Sequence, residues 1–573
     1  MKQANRWGAI ASVSALTAGL LALGAGPARA AESWTVCASG CDYTTISAAV
    51  SGAAAGDTIV VQAGTYAESI VIDKSLTILG PNAGVNPNSA DFVTANPARA
   101  SEAIILPPAV ENSDAISLAA AATTVTLSGL TVDLSGALDS QRFLSANSVP
   151  NLQLTLSQNV WTNGGSSTPG ALAITGALGD PTVRFEQNRV VDGAASNGLR
   201  VSNSSANGTT TVSITGNTWL DNDGLAMNIS GAASVTTAGT IGGNWIGNST
   251  VGTAGVDNFG LRQGGMVLAG DFTGLRVENN TLQNIEDAAI SIWTGFSGTA
   301  VITGNHIDGY SNVTGFAAIF VRQSESSVVS DVTGIEFSGN FFDNPTTGSR
   351  ALLNQSDTGD FTATANWWGQ ATGPAAGQIV GSNVLVDPWL ASDTSGSTVY
   401  GAEVGADPEV SFAGYLPGDP LVNVSDASFT GTTGSAWIEA LTLTPGSLPA
   451  GETPFSVDGA ILLDLSMHSN GDIVATGPYT VCVTGAAPDR LWHYEDGAWV
   501  DISGRQLGSA TLSAVPGMVC GMVNDFSPFA LAATTMLAAT GSTSGTVLIP
   551  VGLLMLLLGA LVVAGTARWR ARY

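Results

Sequence analysis

The chain has 573 residues, enough for several domains, and only 11% of them are charged, with a formal net charge of −27. This composition excludes nucleic-acid binding, which requires clustered Lys and Arg, and it suits an exported surface protein that must stay soluble. Lys2 and Lys74 are the only lysines. The chain therefore has almost none of the lysines that isopeptide cross-links between Lys and Asn require.

The N-terminal segment 1–30 has the pattern of a secretory signal peptide. A basic start precedes the apolar run 9–24, and a small-residue A-x-A cleavage pattern follows at 28–30. We expect the mature chain to begin near Ala31, outside the cytoplasm. The alternative is an uncleaved N-terminal membrane anchor, which would need a longer apolar run and no cleavage site.

The region 31–395 repeats a short phrase, as in "VRFEQNRVVD", "VSITGNTWLDN" and "AVITGNHIDG". Each phrase is an alternating strand, a turn, an Asn and a second short apolar piece, which predicts β-structure without helices between the repeats. The repeat recurs about every 30 residues, and this period indicates a β-solenoid; a propeller, which needs about 40 residues per blade, is the competing architecture. The repeated residues are Asn159, Asn188, Asn217, Asn244, Asn280, Asn305, Asn340 and Asn366.

We expect each repeated Asn to occupy the tight turn between two strands. There it would adopt a left-handed conformation and form hydrogen bonds with the Asn residues of the coils above and below. Such a ladder would run along the whole solenoid.

The opening stretch "DYTTISAAVSGAAAGDTIVVQAGTYAESIVIDKSLTILG" resembles the start of right-handed parallel β-helix proteins of the pectate-lyase and pectinesterase kind. The resemblance covers roughly residues 34–390 and includes a capping helix near 46–50, the "GTYAE" turn and the closing "NWWGQATGP" and "VDPWL". It implies an all-β, right-handed parallel β-helix whose ends are capped by that helix and by the Trp-rich segment. This family contains lyases, hydrolases, esterases and non-catalytic binders, so the fold does not decide the function.

In enzymes of this kind the substrate lies along the outward side chains of one stacked sheet. Alternation in the strands that follow each Asn turn predicts which residues point inward: Leu199, Val201, Leu225, Met227, Ile290, Ile292, Ile319 and Val321. The predicted outward residues are Arg200, Ser202, Ala226, Asn228, Ser291, Trp293, Phe320 and Arg322.

This outward set contains aromatic and cationic side chains but no carboxylate. Exposed aromatic rings flanked by hydrogen-bond donors suit sugar rings or an anionic glycan, so the candidate ligand-binding residues are Arg200, Asn228, Trp293, Phe320 and Arg322. The alternative is that Trp293 and Phe320 pack under a long loop as a small cluster. A glycoside hydrolase needs two carboxylates and a lyase of the pectate-lyase kind needs carboxylates for calcium, so no catalytic residue is assigned.

Acidic residues do occur in the turns before these strands, notably Asp221, Asp223, Glu286 and Asp287. They are the candidates for a Ca²⁺ site, and no other metal or cofactor is expected. Turn chemistry explains Asp at such positions without any function. No downstream segment matches the catalytic aspartate segments or the arginine motif of the pectinesterases.

The region 396–534 has short strands joined by Gly/Pro/Asp turns and predicts a small β-sandwich. Its "LWHYEDGAWVDIS" and "VCGMVNDFSPFALA" resemble a module that precedes the anchor of many bacterial surface proteins, which implies a stalk. Four cysteines in an exported chain indicate two disulfides; three pairings are open, and proximity favours Cys37–Cys41 and Cys482–Cys520. Scattered histidines argue against a Cys/His metal site.

The C-terminal segment 537–573 combines three features in order. These are the pentapeptide Leu537-Ala538-Ala539-Thr540-Gly541, an apolar run at 547–564 that is long enough to cross a bilayer, and a tail with three arginines that should stay in the cytoplasm. The order resembles the LAxTG variant of the cell-wall sorting signal of Gram-positive bacteria, as in actinobacterial proteins. The resemblance implies that a sortase thiol attacks the Thr540 carbonyl and joins the chain to peptidoglycan. The alternative is a single-pass membrane anchor that is never cleaved.

Three functions remain open at this stage: a carbohydrate-binding surface protein or adhesin, a wall-attached polysaccharide lyase or hydrolase, and a structural component of the surface layer. The missing outward carboxylates favour the first.

Overall fold

A computed structural model describes residues 30–533. The internal stretches outside this description are 111–113, 139–140, 165–171, 193–196, 223, 233, 248–263, 287, 294, 311–316, 323–329, 357–359, 382, 394–398, 404–409, 412–421, 426–427, 431–435, 451–452, 470–473, 486–488, 511 and 513–514.

The α-helix Ile46–Gly52 begins after Thr45, whose hydroxyl accepts a hydrogen bond from the Ala48 amide at 3.2 Å. The Glu68 carboxylate accepts hydrogen bonds from the first two helical amides at 2.7 and 2.8 Å. The amide groups at the helix N-terminus are therefore capped by a local hydroxyl and by a carboxylate from a later turn. Ile46, Ala49 and Val50 are buried against the first strands. The helix thereby covers the first end of the solenoid, as the sequence predicted.

Three stacked parallel sheets form the body of the molecule, and successive strands visit sheet 1, sheet 2 and sheet 3 in turn. Sheet 1 contains Ser33–Val36, Thr58–Val61, Leu76–Leu79, Thr124–Ser128, Gln153–Ser157, Thr182–Glu186, Gly208–Thr215, Val235–Gly242, Asp271–Glu278, Ser297–Thr303 and Ile335–Ser338. Sheet 2 contains Gly64–Tyr66, Ala103–Ile105, Thr131–Asp133, Val160–Thr162, Arg189–Val191, Thr218–Leu220, Trp245–Gly247, Thr281–Gln283, His306–Asp308 and Phe341–Asp343. Sheet 3 contains Ile70–Ile72, Ile116–Leu118, Leu144–Asn147, Leu172–Ala177, Asn197–Asn203, Leu225–Gly231, Met266–Ala269, Ile290–Ile292, Ile319–Val321, Leu352–Asn354 and Ile379–Val380. A two-stranded parallel pair, Phe361–Thr362 with Val384–Leu385, completes the last coil.

Period-two alternation explains why these segments stack as strands. In Gln153–Ser157, Leu154 and Leu156 are buried while the intervening Thr155 is only half-buried, and the neighbouring strands repeat this pattern in register. Inward side chains from all three sheets therefore meet in one continuous core. This is a parallel β-helix, in agreement with the solenoid prediction. Trp368 and Trp389 join the same core at its far end, where the sequence placed a Trp-rich cap.

The turn between sheets 1 and 2 carries the repeated Asn residues in an unbroken ladder. Each Asn Nδ2 donates to the Oδ1 of the Asn one coil further on, over distances of 2.8–3.2 Å. The same Oδ1 also accepts the backbone amide of the preceding Asn, as between Asn188 and Asn217 at 2.7 Å. The second Nδ2 proton goes to a strand carbonyl, as from Asn217 to Phe185 at 2.7 Å. The buried amide groups of the ladder are thus fully used.

The predicted left-handed conformation belongs to the residue before each ladder Asn, not to the Asn itself. Gln158, Gln187, Gly216, Gly243 and Asn279, for example, have φ between 54° and 65°. The preceding residue adopts the left-handed conformation that the tight turn requires, because the Asn side chain must point inward to reach the Asn residues of the neighbouring coils.

The segment 81–102 crosses the outer face of sheet 2 and is held by side chains from several coils. The Arg189 guanidinium donates to the carbonyls of Phe92 and Val93 at 2.8 and 2.6 Å. Asn88 donates to the Asn188 carbonyl at 3.1 Å. This segment covers the middle coils of sheet 2 and does not extend over sheet 3.

Beyond the solenoid the strands become antiparallel and form a seven-stranded, a four-stranded and a two-stranded sheet. The seven-stranded sheet contains Trp389–Leu390, Val399–Glu403, Ala436–Thr442, Ile461–Ser469, Pro528–Ala533, Asp489–Glu495 and Ala498–Asp501. The four-stranded sheet contains Val410–Ser411, Val422–Ser425, Tyr479–Thr484 and Met518–Val523, and the two-stranded sheet contains Ser428–Thr430 and Val474–Thr476. A 3₁₀ turn spans Pro445–Ser447. The antiparallel region begins with Trp389–Leu390, slightly before the expected boundary at residue 396.

The two larger antiparallel sheets contribute to one hydrophobic cluster. Val481 and Val483 of the four-stranded sheet share it with Leu463, Leu465 and Phe529 of the seven-stranded sheet. The structure contains both disulfides that proximity favoured: Cys37–Cys41, and Cys482–Cys520, whose residues are register partners.

Among residues 30–533 as described, no helix is long and apolar enough to cross a membrane. The signal segment 1–29, the pentapeptide 537–541 and the apolar run 547–564 lie outside the described residues, so those three predictions stay predictions.

Candidate ligand-binding face

The outer face of sheet 3 is built by strict register between coils. One outward column runs Ala173, Arg200, Asn228, Val267, Ser291, Phe320, Leu353 and Val380. Trp293 and Arg322, each two residues beyond a member of this column, form part of the next outward column. The structure therefore places five predicted residues on one face, as strand alternation predicted: Arg200, Asn228, Trp293, Phe320 and Arg322. Their role in ligand binding stays a prediction.

One pair of neighbouring residues was assigned to the wrong sides. Ala226 lies in the main core, whereas Leu225 packs in the outer cluster. The alternation is broken there because Ala226 and Met227 are both buried in the core at the entry to the strand. A small side chain at 226 allows two consecutive residues to face inward.

Arg200 and Asn228 lie opposite each other on neighbouring strands. Asn228 is 4% exposed, and in the described part of the chain its Oδ1 has no hydrogen-bond donor. The Nε of Arg200 is also buried and has no acceptor there. A buried polar atom without a partner costs about 1–3 kcal/mol, and more when it is charged. A ligand that supplies an acceptor to Arg200 and a donor to Asn228 would remove this cost.

Ser291 extends the same column two strands further on. It is fully buried, and its Oγ also has no partner among the described residues. Val267 separates it from Asn228 in the register. The column thus contains polar atoms without described partners at Arg200, Asn228 and Ser291, and it is apolar from Phe320 onward.

Trp293 and Arg322 form a cation–π pair at the edge of this face. The Arg322 guanidinium carbon lies 3.9 Å from the centre of the Trp293 ring. Trp293 is half-buried and packs against the apolar cluster. The guanidinium covers one face of its ring, so the pair forms a combined aromatic and cationic surface at this edge.

Phe320 does not form an exposed stacking surface. It is 3% exposed and packs with Leu225, Val267 and Leu353, so the alternative of a small packed cluster describes it. Alternation predicted its outward direction correctly. Its burial comes from the apolar side chains that pack around it, including Leu353 of the next coil, and not from its direction in the strand.

The acidic candidates lie in turns. Asp221 has φ of 55°, the left-handed conformation that Asp adopts readily in short turns. Glu286 is 1% exposed. Asp223 and Asp287 lie outside the described residues. Within the described ranges, no group of three or more His, Cys, Asp or Glu is placed to hold a metal ion, so the Ca²⁺ prediction has no described site.

A second polar cluster, on the outer face of sheet 2, was missed. Asp308 and Asp343 are register partners, and both end their strands. The Asp343 carboxylate is contacted by His306 Nε2 at 2.7 Å and accepts the Trp367 indole N–H at 2.8 Å. Asp308 accepts an N–H from Asn344 at 2.7 Å. The available signal was spacing, since each Asp follows a ladder Asn by three residues.

No family model matches the chain, and no curated protein matches it. Among solved structures, the chain is similar to the pectin methylesterase of Aspergillus niger, with 13% identity over 52% of this chain and 92% of the other, at a TM-score of 0.29. It is also similar to the enzymatically active domain of tailspike protein 2 of bacteriophage CBA120, with 9% identity, 83% and 76% coverage and a TM-score of 0.32. Carrot pectin methylesterase gives 10% identity, 56% and 84% coverage and a TM-score of 0.21. At these TM-scores the similarities do not indicate an activity for this chain.

Proposed function

We propose that the chain is an exported surface protein whose parallel β-helix binds carbohydrate on the outer face of sheet 3. The observation that supports this most is the neighbouring pair Arg200 and Asn228, which present a buried donor and a buried acceptor without partners. The Trp293–Arg322 pair adds an aromatic platform on the same face. Donor, acceptor and half-buried indole together match the hydroxyls and the apolar ring face of a sugar.

A glycan array with the full-length protein, followed by affinity measurement on the hits, tests this proposal. Trp293→Ala should weaken binding by more than about fivefold, because an aromatic platform contributes a large contact area. Arg200→Gln should weaken it as well. Arg184→Gln is the matched control, because Arg184 belongs to the same coil but lies on the strand Thr182–Glu186 of sheet 1 and is half-exposed.

The proposal fails if Trp293→Ala and Arg200→Gln bind every array hit as tightly as the parent protein. It also fails if Arg184→Gln loses as much affinity as Arg200→Gln, since the effect would then be one of overall charge.

Cleavage of a bound glycan is the alternative function, and one observation favours it. Asp308 and Asp343 place two carboxylates on adjacent strands of sheet 2, and glycoside hydrolysis uses two carboxyl groups. If the array hits are shortened by the parent protein and not by Asp308→Asn and Asp343→Asn, sheet 2 carries an active site. Intact hits in every sample support binding alone.

Export and anchoring complete the proposal. Signal cleavage near Ala31 and sorting at Thr540 would join the protein to peptidoglycan, and the two larger antiparallel sheets would form a sandwich that serves as a stalk. Thr540→Ala should move the protein from the wall fraction to the membrane fraction or the medium. Covalent attachment of the Thr540→Ala protein to peptidoglycan would contradict this part.

A further inference from the structure

Arg200 and Asn228 point away from the solenoid core on neighbouring strands of sheet 3. In each strand the residues on either side of them belong to that core: Leu199, Val201, Met227 and Ile229. Successive side chains of a strand alternate between its two faces, so both residues point to the outer face. They are register partners on adjacent strands, which lie about 4.8 Å apart. One small chemical group of a ligand can therefore contact both side chains.

The two atoms without partners have fixed and opposite roles in hydrogen bonding. The Arg200 Nε only donates, and the Asn228 Oδ1 only accepts. Both atoms are buried, and neither has a hydrogen-bond partner in the part of the chain that the structure describes. The Ser291 Oγ in the same column also has no described partner, but a hydroxyl either donates or accepts and so does not select a ligand. The pair thus calls for a ligand group that carries an acceptor next to a donor.

Charged sugar substituents do not meet this condition. A carboxylate offers only acceptors, so it would pair with Arg200 and place an oxygen against the Asn228 oxygen. An ammonium group offers only donors and would be repelled by the Arg200 guanidinium. A buried charge that is left with such a neighbour is costly. The pair therefore selects against uronic acids and against free amino sugars.

Among neutral substituents, a secondary amide matches the column better than a hydroxyl. The amide is planar and trans, so its carbonyl lies on one edge, and its N–H lies on the other edge together with the methyl group of an acetamide. The column has the same order, because Arg200 is followed by Asn228 and then by Val267 of the outer apolar cluster. A hydroxyl can bridge the two polar atoms but offers nothing to Val267.

We propose that Arg200, Asn228 and Val267 recognise the acetamido group of an N-acetylated amino sugar. The carbonyl accepts from the Arg200 Nε, the N–H donates to the Asn228 Oδ1, and the methyl group contacts Val267. This inference rests on the proposed function, since it names the class of sugar that the same face binds.

Two tetrasaccharides with the same linkage test the proposal: chitotetraose, built from N-acetylglucosamine, and cellotetraose, built from glucose. They differ only in one substituent of each ring, acetamido or hydroxyl. We expect the full-length protein to bind chitotetraose about tenfold or more tightly, because the amide satisfies two buried atoms and a contact with Val267. The glucosamine tetramer, with a free amine at that position, should bind no better than cellotetraose. Any other N-acetylated hit of the glycan array is compared with its own hydroxyl counterpart.

The ratio of the two affinities identifies the residues responsible. Asn228→Ala and Arg200→Met should each weaken chitotetraose by about tenfold and bring the ratio close to one, because the amide loses a partner. Trp293→Ala should weaken both tetrasaccharides to a similar extent and keep the ratio, because the indole would contact the ring and not its substituent. Arg184→Gln, on sheet 1, should change neither affinity.

Failure of this inference is distinguishable from failure of the proposed function. The acetamido assignment is overturned, and carbohydrate binding kept, if glycans bind but no N-acetylated one binds more tightly than its hydroxyl counterpart. The same follows if Asn228→Ala and Arg200→Met both leave the ratio unchanged. If the parent protein binds no glycan at all, the inference and the proposed function fail together.

Discussion

Two regions of the solenoid bury asparagine in opposite ways. In the ladder between sheets 1 and 2, Asn217 is fully buried, and each polar atom of its amide has a partner in a neighbouring coil. On the outer face of sheet 3, Asn228 is nearly as buried, yet its Oδ1 has no donor in the described structure. A satisfied buried amide stabilises the fold, whereas an unsatisfied one weakens it until a ligand binds. The hydrogen bonding of buried Asn thus distinguishes the structural ladder from the candidate site.

The largest expected effect comes from breaking the ladder. Asn217→Ala leaves the Asn188 side chain without its acceptor and removes the donors to Asn244 and to the Phe185 carbonyl. Several buried groups lose partners at once, so the free energy of unfolding should fall by about 3–5 kcal/mol. Chemical denaturation followed by far-UV circular dichroism measures this. A loss below about 1 kcal/mol would mean that the ladder does not stabilise the solenoid.

Removing the disulfide Cys482–Cys520 tests whether the antiparallel region can lose stability without a change in the stability of the solenoid. The double variant Cys482→Ala with Cys520→Ala should lower the stability of the antiparallel region by about 2–4 kcal/mol, because the closed loop no longer restricts the unfolded chain. Hydrogen exchange resolved along the chain should show the loss in the antiparallel sheets and not in sheets 1–3. Equal loss in the solenoid would mean that the two regions unfold as one unit.

A third kind of buried polar group should give a smaller, pH-dependent effect. His493 is fully buried and lies 2.6 Å from the Ser527 hydroxyl. Burial lowers the pKa of His493, and the attraction of Glu495 does not compensate, since that carboxylate is paired with Arg505. The unfolded chain therefore binds the proton more readily than the folded one. Stability should be complete above about pH 6.5 and fall as the pH drops below it.

Melting temperatures of the antiparallel region between about pH 5 and 8 measure this effect. His493→Gln should flatten the profile while keeping a polar side chain next to Ser527. An unchanged slope in the variant would assign the pH dependence to other groups.

The smallest effect on stability is expected at Asn228. Asn228→Ala removes an amide whose oxygen has no donor, so the free energy of unfolding should change by less than about 0.5 kcal/mol. Affinity for the array hits should fall while stability is kept. Asn217→Ala, in contrast, should lower stability. A loss of stability comparable to that of Asn217→Ala would end the contrast between the two regions and remove Asn228 from the candidate site.

Part of the candidate site could be predicted because direction in a strand is a local property. Alternation placed Arg200, Trp293 and Arg322 outward, and only the pair Leu225 and Ala226 was exchanged, at a strand entry where two successive residues face inward. Whether an outward residue is accessible is not local, because it depends on the coils next to it. Phe320 is outward and nevertheless buried for this reason.

By itself the sequence determined the repeat, the strand alternation, the capping helix and the ladder of asparagines, since each depends on spacing along the chain and on the chemistry of a few side chains. Only the tertiary structure decided which buried polar atoms find partners and which do not. It placed Asp308 next to Asp343 on adjacent strands of sheet 2. Partners in a solenoid come from neighbouring coils about 30 residues away, and loop segments of variable length set which side chains meet. Spacing specifies the scaffold, and contact between coils specifies the sites it carries.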